Sequence, residues 1–290
     1  MKNKFRKWTP YFLLTPALLY YLFFWIRPVF NAFIGSMTDF DGSFSLRFFI
    51  EVFKEPMFSA AFRNSVLFAL ISVLLQFSIA FMMALLLNKK FKGVNLLLFI
   101  ALIPMAVPPA AVAILWKTGF STFGWLNNIL ITLHIIKTPI LWMTAQGFNA
   151  LLFLILIDTW TVLPSVMIIL LAGLQNLNKE YEEAGLIFGA TKWQVTKDII
   201  MPILKPTIIT AVILRMIAAI QVWMISVMMF GYGRVPFLVE RIAYYTDVVP
   251  MLDESYKMSL TYSVIVTVIV MVSVVLYLQV SKKSKKEVEI

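Results

Sequence analysis

The chain has 290 residues, of which 61% are hydrophobic, and its mean hydropathy is +0.87. Soluble domains contain about 45–50% apolar residues, so this composition excludes a soluble globular protein. A formal net charge of +10 would indicate nucleic-acid binding in a soluble protein. Here the basic residues flank apolar runs, as membrane topology requires, so we expect membrane lipid around the chain and no nucleic-acid partner.

The residue types that support most catalytic and metal chemistry are scarce. The chain has no cysteine and a single histidine, His134. Disulfides, thiolate catalysis and cysteine metal sites are therefore excluded. No Ser/His/Asp arrangement and no pair of carboxylates suggests a catalytic centre, so the sequence predicts no catalytic residue and no metal ligand.

The N-terminal segment begins with four cations in residues 1–8, followed by an apolar run over residues 10–26. A cleaved signal peptide can begin in the same way. This run is long enough to span a membrane and ends in Trp25-Ile26-Arg27-Pro28 rather than in small residues. These features favour an uncleaved first helix over residues 9–30, with its N-terminus inside.

Five further apolar runs predict five more spans, at residues 62–87, 95–116, 148–173, 206–230 and 258–280. Pro104, Pro108 and Pro109 interrupt the third span and should bend it. The short run at residues 129–136 predicts an interfacial helix and not a span. The predicted fold class is all-α, a polytopic membrane protein with six transmembrane helices, and residues 1–290 form one domain whose core spans cover about 62–280.

The distribution of cations predicts the orientation of the chain. Four proposed inner segments hold 15 of the 25 Lys and Arg residues, although they are a minor part of the chain. Positive residues accumulate on the cytoplasmic side, and an even number of spans returns the chain to that side. We therefore expect a multi-pass protein of the cell (plasma or inner) membrane, with both termini in the cytoplasm.

A polar loop from Gln175 to Pro206 separates the fourth and fifth spans and carries eight charges. Its pattern predicts two short helices that meet near Gly189, with Pro202 and Pro206 starting the next span. An amphipathic loop on the lipid headgroups is the alternative. The acidic first turn disfavours it, because carboxylates suit a helix N-terminus and not an anionic membrane surface; its residues are Glu180, Glu182 and Glu183.

This loop resembles the EAA loop of ATP-binding-cassette (ABC) importer permeases. In those proteins Glu-Ala-Ala is followed by Gly and then by Ile-x-Leu-Pro. The corresponding residues are Glu183-Ala184-Gly185, then Gly189, then Ile199-Ile200-Met201-Pro202. Gly185 and Met201 depart from the pattern, while the spacing is intact. The runs LAGLQNLNKEYEEAG and IPMAVPPAAVAILWKTGF also resemble carbohydrate-uptake permeases of the maltose-permease type.

The resemblance implies a type I ABC importer permease fold and one half of a pathway for a sugar or oligosaccharide, possibly acidic. It implies a second permease subunit, two ATPase subunits and an extracytoplasmic solute-binding protein as partners. Residues 175–205 would be the cytoplasmic coupling loop, and its ATPase-coupling residues would be Glu183, Ala184, Gly185, Gly189, Ile199 and Pro202. The chain has no G-x-x-x-x-G-K-[ST] motif, so ATP and Mg would be bound by the partner ATPases and the chain itself is not expected to be an enzyme.

Two ionised residues lie inside predicted spans, Asp158 and Arg215. Placing either charge at the centre of a spanning helix costs about 2.5–3.5 kcal/mol of membrane-insertion free energy, so such residues normally face a pathway or a partner. Helical rise places them at depths about 9 Å apart, which weakens a close pair. The predicted substrate path consists of these two residues and their polar or small neighbours, namely Asp158, Thr161, Ser165, Arg215, Ala219 and Gln221.

Several alternatives stay open at this stage. Asp158 and Arg215 could pair and merely order the bundle, or Arg215 could bind a carboxylate or phosphate on the substrate. The same architecture could import glycerol phosphate or a polyamine. An ion-coupled secondary transporter could use Asp158 as a proton or sodium site, and an assembly subunit would have no path of its own. The EAA-like loop favours the ABC importers, because neither of the last two classes needs an ATPase-docking helix.

Overall fold

The computed structural model describes residues 2–89, 91–249 and 252–288, with side chains described for 9–89, 91–249 and 252–279. Lys90, a cation of the predicted cytoplasmic hairpin, lies outside the described residues. Every regular element in this part of the chain is a helix, and its one β-bridge joins Thr38 and Phe44. The all-α prediction is confirmed.

The N-terminal span consists of α1 (Lys2–Tyr21), a π-helical turn (Leu22–Ile26) and α2 (Arg27–Ser36). Its apolar stretch, Thr9–Ser36, is longer than the predicted 9–30, and residues 9–31 are exposed. Lys257 anchors the Ser36 end of this span, which lies at the end of the bundle that the cation distribution predicts to be external and that we call the outer end. Its Nζ donates to the carbonyl oxygens of Gly35 at 2.9 Å and Thr38 at 2.8 Å, and so neutralises the C-terminal end of α2.

The second and fourth spans pack along each other and form the centre of the bundle. After a short external helix, α3 (Arg47–Lys54), helix α4 runs over Pro56–Leu87 and begins six residues before the predicted start. Pro56 stands in its first turn, where a missing N–H costs no helical hydrogen bond. Helix α8 (Gly147–Gln175) is the fourth span and matches the predicted run closely.

The third span is broken into two helices. Helix α5 (Val94–Ala106) and helix α6 (Pro109–Gly119) are bent by 95° at Val107–Pro108. Two consecutive prolines remove two backbone donors, and the residue before a proline avoids the helical region; Val107 is extended, with ψ of 126°. The predicted single span over residues 95–116 is therefore a pair of half-helices.

The second external segment follows α6 and contains α7 (Trp125–Thr132) and a 3-10 turn (Trp142–Thr144). Asn127 is fully buried and holds this segment together. Its Oδ1 accepts from the Ile140 amide at 3.1 Å and from Trp142 Nε1 at 2.8 Å. A short helix is present here, but it covers Trp125–Thr132 and not the predicted residues 129–136, and its interfacial position stays a prediction.

The coupling loop begins with α9 (Glu180–Ile187) and turns at Gly189, where φ is +83°. The chain then forms α10 (Lys192–Gln194), a π-helical turn (Val195–Ile200) and α11 (Met201–Ile220). Together they make one helix of 29 residues, so Pro202 and Pro206 do not start the fifth span as predicted. The π-helical turn already changes the hydrogen-bond register before Pro202, which stands in the first turn of α11, where proline is tolerated.

The fifth span also ends earlier than the predicted residue 230. The helix stops at Ile220, residues 221–223 are irregular, and α12 covers Met224–Phe230. A turn with Gly231 and Gly233 at positive φ leads to α13 (Leu238–Ala243) and a π-helical turn (Tyr244–Val248). The last span is α14 (Asp253–Val288).

Within the described residues, five helices are long and apolar enough to cross a membrane, and the bent α5–α6 pair makes the sixth when its halves count as one span. Two apolar clusters fill the outer and inner halves of the bundle, and a third packs α3 against α13 and α14 at the outer end. The prediction of six apolar segments is therefore confirmed, with the third broken into two helices and the first largely exposed.

Candidate functional site: the mid-span ion pair and the coupling loop

Asp158 of α8 and Arg215 of α11 are in direct contact in the middle of the bundle. A terminal guanidinium nitrogen of Arg215 donates to Asp158 Oδ2, and each residue is only 7% exposed. The expectation that a depth offset weakens this pair is wrong. Gly173 of α8 does lie against Leu204 and Thr207 of α11, so the two helices are level at the loop. The long side chain of Arg215 spans the remaining offset.

Gln76 of α4 completes this pair and was not among the predicted site residues. Its Nε2 donates to Asp158 Oδ2 at 2.8 Å, and its Oε1 accepts from Arg215 Nε at 2.5 Å. The side chain is fully buried. A signal was present in the sequence, because Gln76 is the one amide in the apolar run 65–87. We call Gln76, Asp158 and Arg215 the polar triad.

The other predicted path residues fall into two groups. Ala219 is fully buried, whereas Thr161 and Ser165 are half-buried. The two hydroxyls donate within α8, from Thr161 to the Ile157 carbonyl at 2.9 Å and from Ser165 to the Val162 carbonyl at 2.7 Å. Their oxygens can still accept hydrogen bonds from a ligand.

Gln221 stands at the break between α11 and α12 and is exposed. Irregular backbone at membrane depth is tolerated only where it is buried in protein or lines a water-filled cavity. At this break the amide of Gln221 is exposed and offers both a donor and an acceptor to a ligand. The structure thus separates the buried polar triad from three more accessible polar residues, the half-buried Thr161 and Ser165 and the exposed Gln221.

The predicted coupling residues differ in whether they pack within the loop or are exposed. Gly185 of α9 is buried against the π-helical turn, and a Cβ there would lie 3.0 Å from Val195 Cγ2 and 2.7 Å from Ile199 Cδ1. Gly185 therefore lets the two loop helices pack on each other, and Ile199 is half-buried in that contact. The remaining predicted coupling residues are exposed, namely Glu183, Ala184, Gly189 and Pro202.

The same loop exposes large apolar side chains. Ile187 and Phe188 are 82% and 89% exposed, and Trp193 is 69% exposed. The turn that presents them is fixed by Gly189 and by a capping box between Thr191 and Gln194. Exposed apolar side chains outside a bilayer are a feature of protein interaction sites. Ile187 and Phe188 therefore point out of this chain and not into it.

A second buried ion pair lies at the outer end of the bundle. Arg241 of α13 contacts Glu55, which precedes α4, and Tyr262 of α14 donates to the other oxygen of Glu55. Next to this pair, Glu240 Oε1 accepts from the Gly233 amide at 2.8 Å. Burial raises the pKa of the Glu240 carboxyl, and the Gly233 hydrogen bond opposes that shift. Across the part of the chain that the structure describes, no three His, Asp or Glu side chains are grouped to hold a metal ion.

Comparison with known proteins agrees with this geometry. The chain is 33% identical over 231 residues to a trehalose/maltose transport system permease protein of Thermococcus litoralis, covering 77% of each chain. It is 30% identical over 216 residues to a lactose transport system permease protein of Rhizobium radiobacter, covering 72% of this chain and 71% of that one. Its fold matches a chain of a bacterial alginate ABC transporter, solved in complex with an alginate pentasaccharide-bound periplasmic protein, with a TM-score of 0.83 at 21% identity over 97% of this chain and 96% of that one.

The sequence profile of one transport family matches most of the chain. It covers residues 76–286, which include the polar triad, the broken third span and the whole coupling loop. The helical fold and the relatives agree with this match. The chain belongs to the family of binding-protein-dependent transport system inner membrane components.

Proposed function

We propose that this chain is the permease subunit that forms one half of an ABC importer pathway for a neutral sugar or oligosaccharide. A second permease subunit forms the other half, an extracytoplasmic solute-binding protein delivers the sugar, and two ATPase subunits bind ATP and Mg and supply the energy. Family membership and the sugar-permease relatives support the transport class.

The observation that supports a neutral substrate is that Gln76, Asp158 and Arg215 bond one another. Within the predicted path of this chain, Arg215 is the residue that could bind an acidic sugar or glycerol phosphate, and Asp158 is the one that could bind a polyamine. These two groups already neutralise each other, and Gln76 occupies further hydrogen-bonding positions of both. A neutral sugar needs only hydrogen bonds, which the half-buried hydroxyls of Thr161 and Ser165 and the exposed amide of Gln221 can supply.

Uptake measurements test this path. The Gln221→Leu variant should raise the KM for radiolabelled maltose or trehalose, because it removes both hydrogen-bonding groups at the helix break. Gln146→Leu is the matched control, since Gln146 is also exposed but precedes α8 in the external segment. Equal uptake by the two variants would contradict the path. Uptake of glycerol phosphate in preference to both sugars would contradict the substrate class.

The coupling loop is proposed to dock on an ATPase subunit through its exposed apolar residues, with Glu183 as a polar contact. Phe188→Ser should detach the ATPase in co-purification, because Phe188 is 89% exposed on this loop. Phe123→Ser is the matched control, since Phe123 is 83% exposed on the opposite, external side. If both variants retain the ATPase equally, the loop does not dock through Phe188.

Gly189 gives an independent test of the same loop. Its φ of +83° suits glycine, and no heavy atom lies within 4 Å of the position of an added Cβ. Gly189→Leu should therefore disturb docking by straining the turn, while Gly189→Asn should be tolerated better, because Asn adopts this conformation more readily. ATPase activity stimulated by the loaded binding protein is the readout. Equal activity of the two variants would show that the turn conformation is unimportant.

The orientation of the termini in the cytoplasm is part of the proposal and rests on the cation distribution. The chain has no cysteine, so single-cysteine variants report one position each. A cysteine at exposed Lys192 should be protected from an impermeant thiol reagent in intact cells, and one at exposed Asp253 should be labelled. External labelling at position 192 would refute this topology. ATP-independent, proton-driven uptake would instead support the secondary transporter.

A further inference from the structure

Gln76 lies outside both the proposed path and the coupling loop, yet it is fully buried and uses both ends of its amide. Only a side chain with a donor and an acceptor can serve a carboxylate and a guanidinium at once. A methionine offers neither group. A glutamate would present acceptors only and would add a second negative charge beside Asp158. The chemistry of position 76 is therefore matched to the ion pair.

The position of the polar triad in the fold relates it to the coupling loop. Helix α8 leads into the loop and α11 leads out of it, and each contributes one member of the ion pair. Helix α4 is distant in sequence and is joined to both by Gln76. The polar triad thus crosses three spans at one level, above the loop on which an ATPase would act.

Hydrogen bonds between side chains can link helices inside a membrane-spanning bundle. Apolar side chains do not drive helices together in hydrocarbon, because lipid tails are equally apolar. Packing between α4 and its neighbours holds these helices together, and the hydrogen bonds of Gln76 add a contact that is specific in direction. Removing the amide would also leave hydrogen-bonding positions of Asp158 and Arg215 unmatched where no water replaces them. The pair could then change its geometry, and α4 would lose its polar link.

We propose that Gln76 is a positioning residue for energy coupling: it closes the Asp158–Arg215 pair and ties α4 to the two helices that flank the coupling loop, so that the three spans move together. This inference rests on the proposed function. Gln76 does not touch substrate, because its side chain is buried among the chain's own helices. Its loss should change the amount of sugar moved per ATP and not the affinity for sugar.

The test uses the complete transporter in proteoliposomes with its binding protein, and it measures sugar uptake and ATP hydrolysis together. Gln76→Met should increase the ATP hydrolysed per sugar imported by roughly two- to thirtyfold, the range for residues that modulate coupling between distant sites. The KM for sugar should stay unchanged. Leu74→Met is the matched control on the same helix, because Leu74 is 67% exposed, and it should behave like the parent.

A second variant covers the case in which Gln76→Met fails to fold. Gln76→Leu combined with Asp158→Leu and Arg215→Met replaces the whole triad by apolar side chains, an exchange that is often neutral or stabilising for buried ion pairs. This variant should fold, insert and remain poorly coupled. Parent-like coupling in either variant would overturn the positioning role, and so would a shift in KM or sugar selectivity with Gln76→Met. If the parent transporter imports no sugar with ATP, the proposed function fails. If the parent imports sugar and Gln76→Met is coupled as well as the parent, only the positioning role fails.

Discussion

The two buried ion pairs of this molecule are built differently. Both join helices distant in sequence, and both give the carboxylate a second partner, Gln76 for Asp158 and Tyr262 for Glu55. Among the described residues, the buried polar atoms without a hydrogen-bond partner include Glu240 Oε2 and Arg241 Nε, but no atom of the mid-span triad. Arg241 also packs over the ring of Tyr244, with its Cζ 4.1 Å from the ring centroid.

The difference follows from the surroundings of each pair. In the apolar spans water cannot readily replace a lost hydrogen-bond partner, so the partners of Asp158 come from the protein, and Gln76 and Arg215 both bond its Oδ2. Buried atoms without a partner do occur in the described spans, at Ser72 and Thr159. At the outer end, the pair lies between external helices, where aromatic faces supply part of the attraction to the guanidinium. Removal of a partner is thus expected to lower the stability of the protein more at Asp158 than at Glu55, and the following changes test that ranking.

Removal of the mid-span cation should have the largest effect. Arg215→Met leaves Asp158 buried without its counter-charge, which typically costs about 3–5 kcal/mol. Asp158→Leu combined with Arg215→Met removes both charges and should recover most of that stability. Thermal unfolding in detergent, followed by tryptophan fluorescence, measures both. A double variant as unstable as the single one would show that the charges do not compensate each other.

Removal of the outer carboxylate should cost less. Glu55→Gln takes the charge from Arg241, which keeps its contacts with the tyrosine rings, so we expect a loss of about 1.5–3 kcal/mol, as for a hydrogen bond to a charged group. Glu51→Gln is the matched control one turn away, because its exposed pair with Arg47 should be worth under about 1 kcal/mol. A larger loss for Glu55→Gln than for Arg215→Met would reverse the proposed ranking.

Removal of the tyrosine hydroxyl should have a smaller effect. Tyr262→Phe deletes the donor to Glu55 and retains the fully buried ring, so a loss of about 1 kcal/mol is expected. Tyr256→Phe serves as the control, since Tyr256 lies on the same helix and is 50% exposed. Equal thermal stability of the two variants would mean that the Tyr262 hydroxyl adds nothing to the outer pair.

The smallest effect should come from Glu240→Gln and should depend on pH. Burial raises the pKa of Glu240 above its ordinary 4.5, so the folded state keeps this proton at pH values where the unfolded state has lost it. The free energy of unfolding therefore falls as pH rises from the ordinary pKa to the raised one. Glutamine cannot ionise and escapes this loss.

Glu240→Gln should therefore match the parent below about pH 4 and exceed it near pH 7, by less than about 1 kcal/mol. The melting temperatures of both proteins across this range provide the measurement. A difference that is constant with pH, or that has the opposite sign at neutral pH, would contradict the role assigned to burial at Glu240.

The sequence predicted the first helix and the turn of the coupling loop, because their signals are local, but not that the second short helix continues into the fifth span. The acidic first turn and Gly189 mark a helix start and a turn, and the structure has α9 and the positive φ at those places. The break in the third span was also marked, by Pro108 and Pro109, but the 95° between its halves depends on how they pack. The break at residues 221–223 contains neither Gly nor Pro, so only tertiary contacts specify it.

The polar triad shows the limit of sequence reasoning for the site. Asp158 and Arg215 were visible as costly charges within spans, but their contact depends on the reach of one side chain between two helices. Gln76 was visible as an isolated amide in α4, yet nothing in the order of residues says which helices α4 packs against. Helix pairing in a bundle is a property of three-dimensional packing, and hydropathy does not record it.

The continuous helix from Lys192 to Ile220 has a mechanical consequence. At about 1.5 Å per residue, Arg215 lies about 34 Å from the loop end of this rod and about 8 Å from its outer end. If the rod tilts as a rigid lever about the point where Arg215 is tied, its outer end travels about a quarter as far as its loop end, and in the opposite direction. A displacement of several ångströms imposed at the loop end would thus reach the break at Gln221 as an opposed shift of about 1 Å or less.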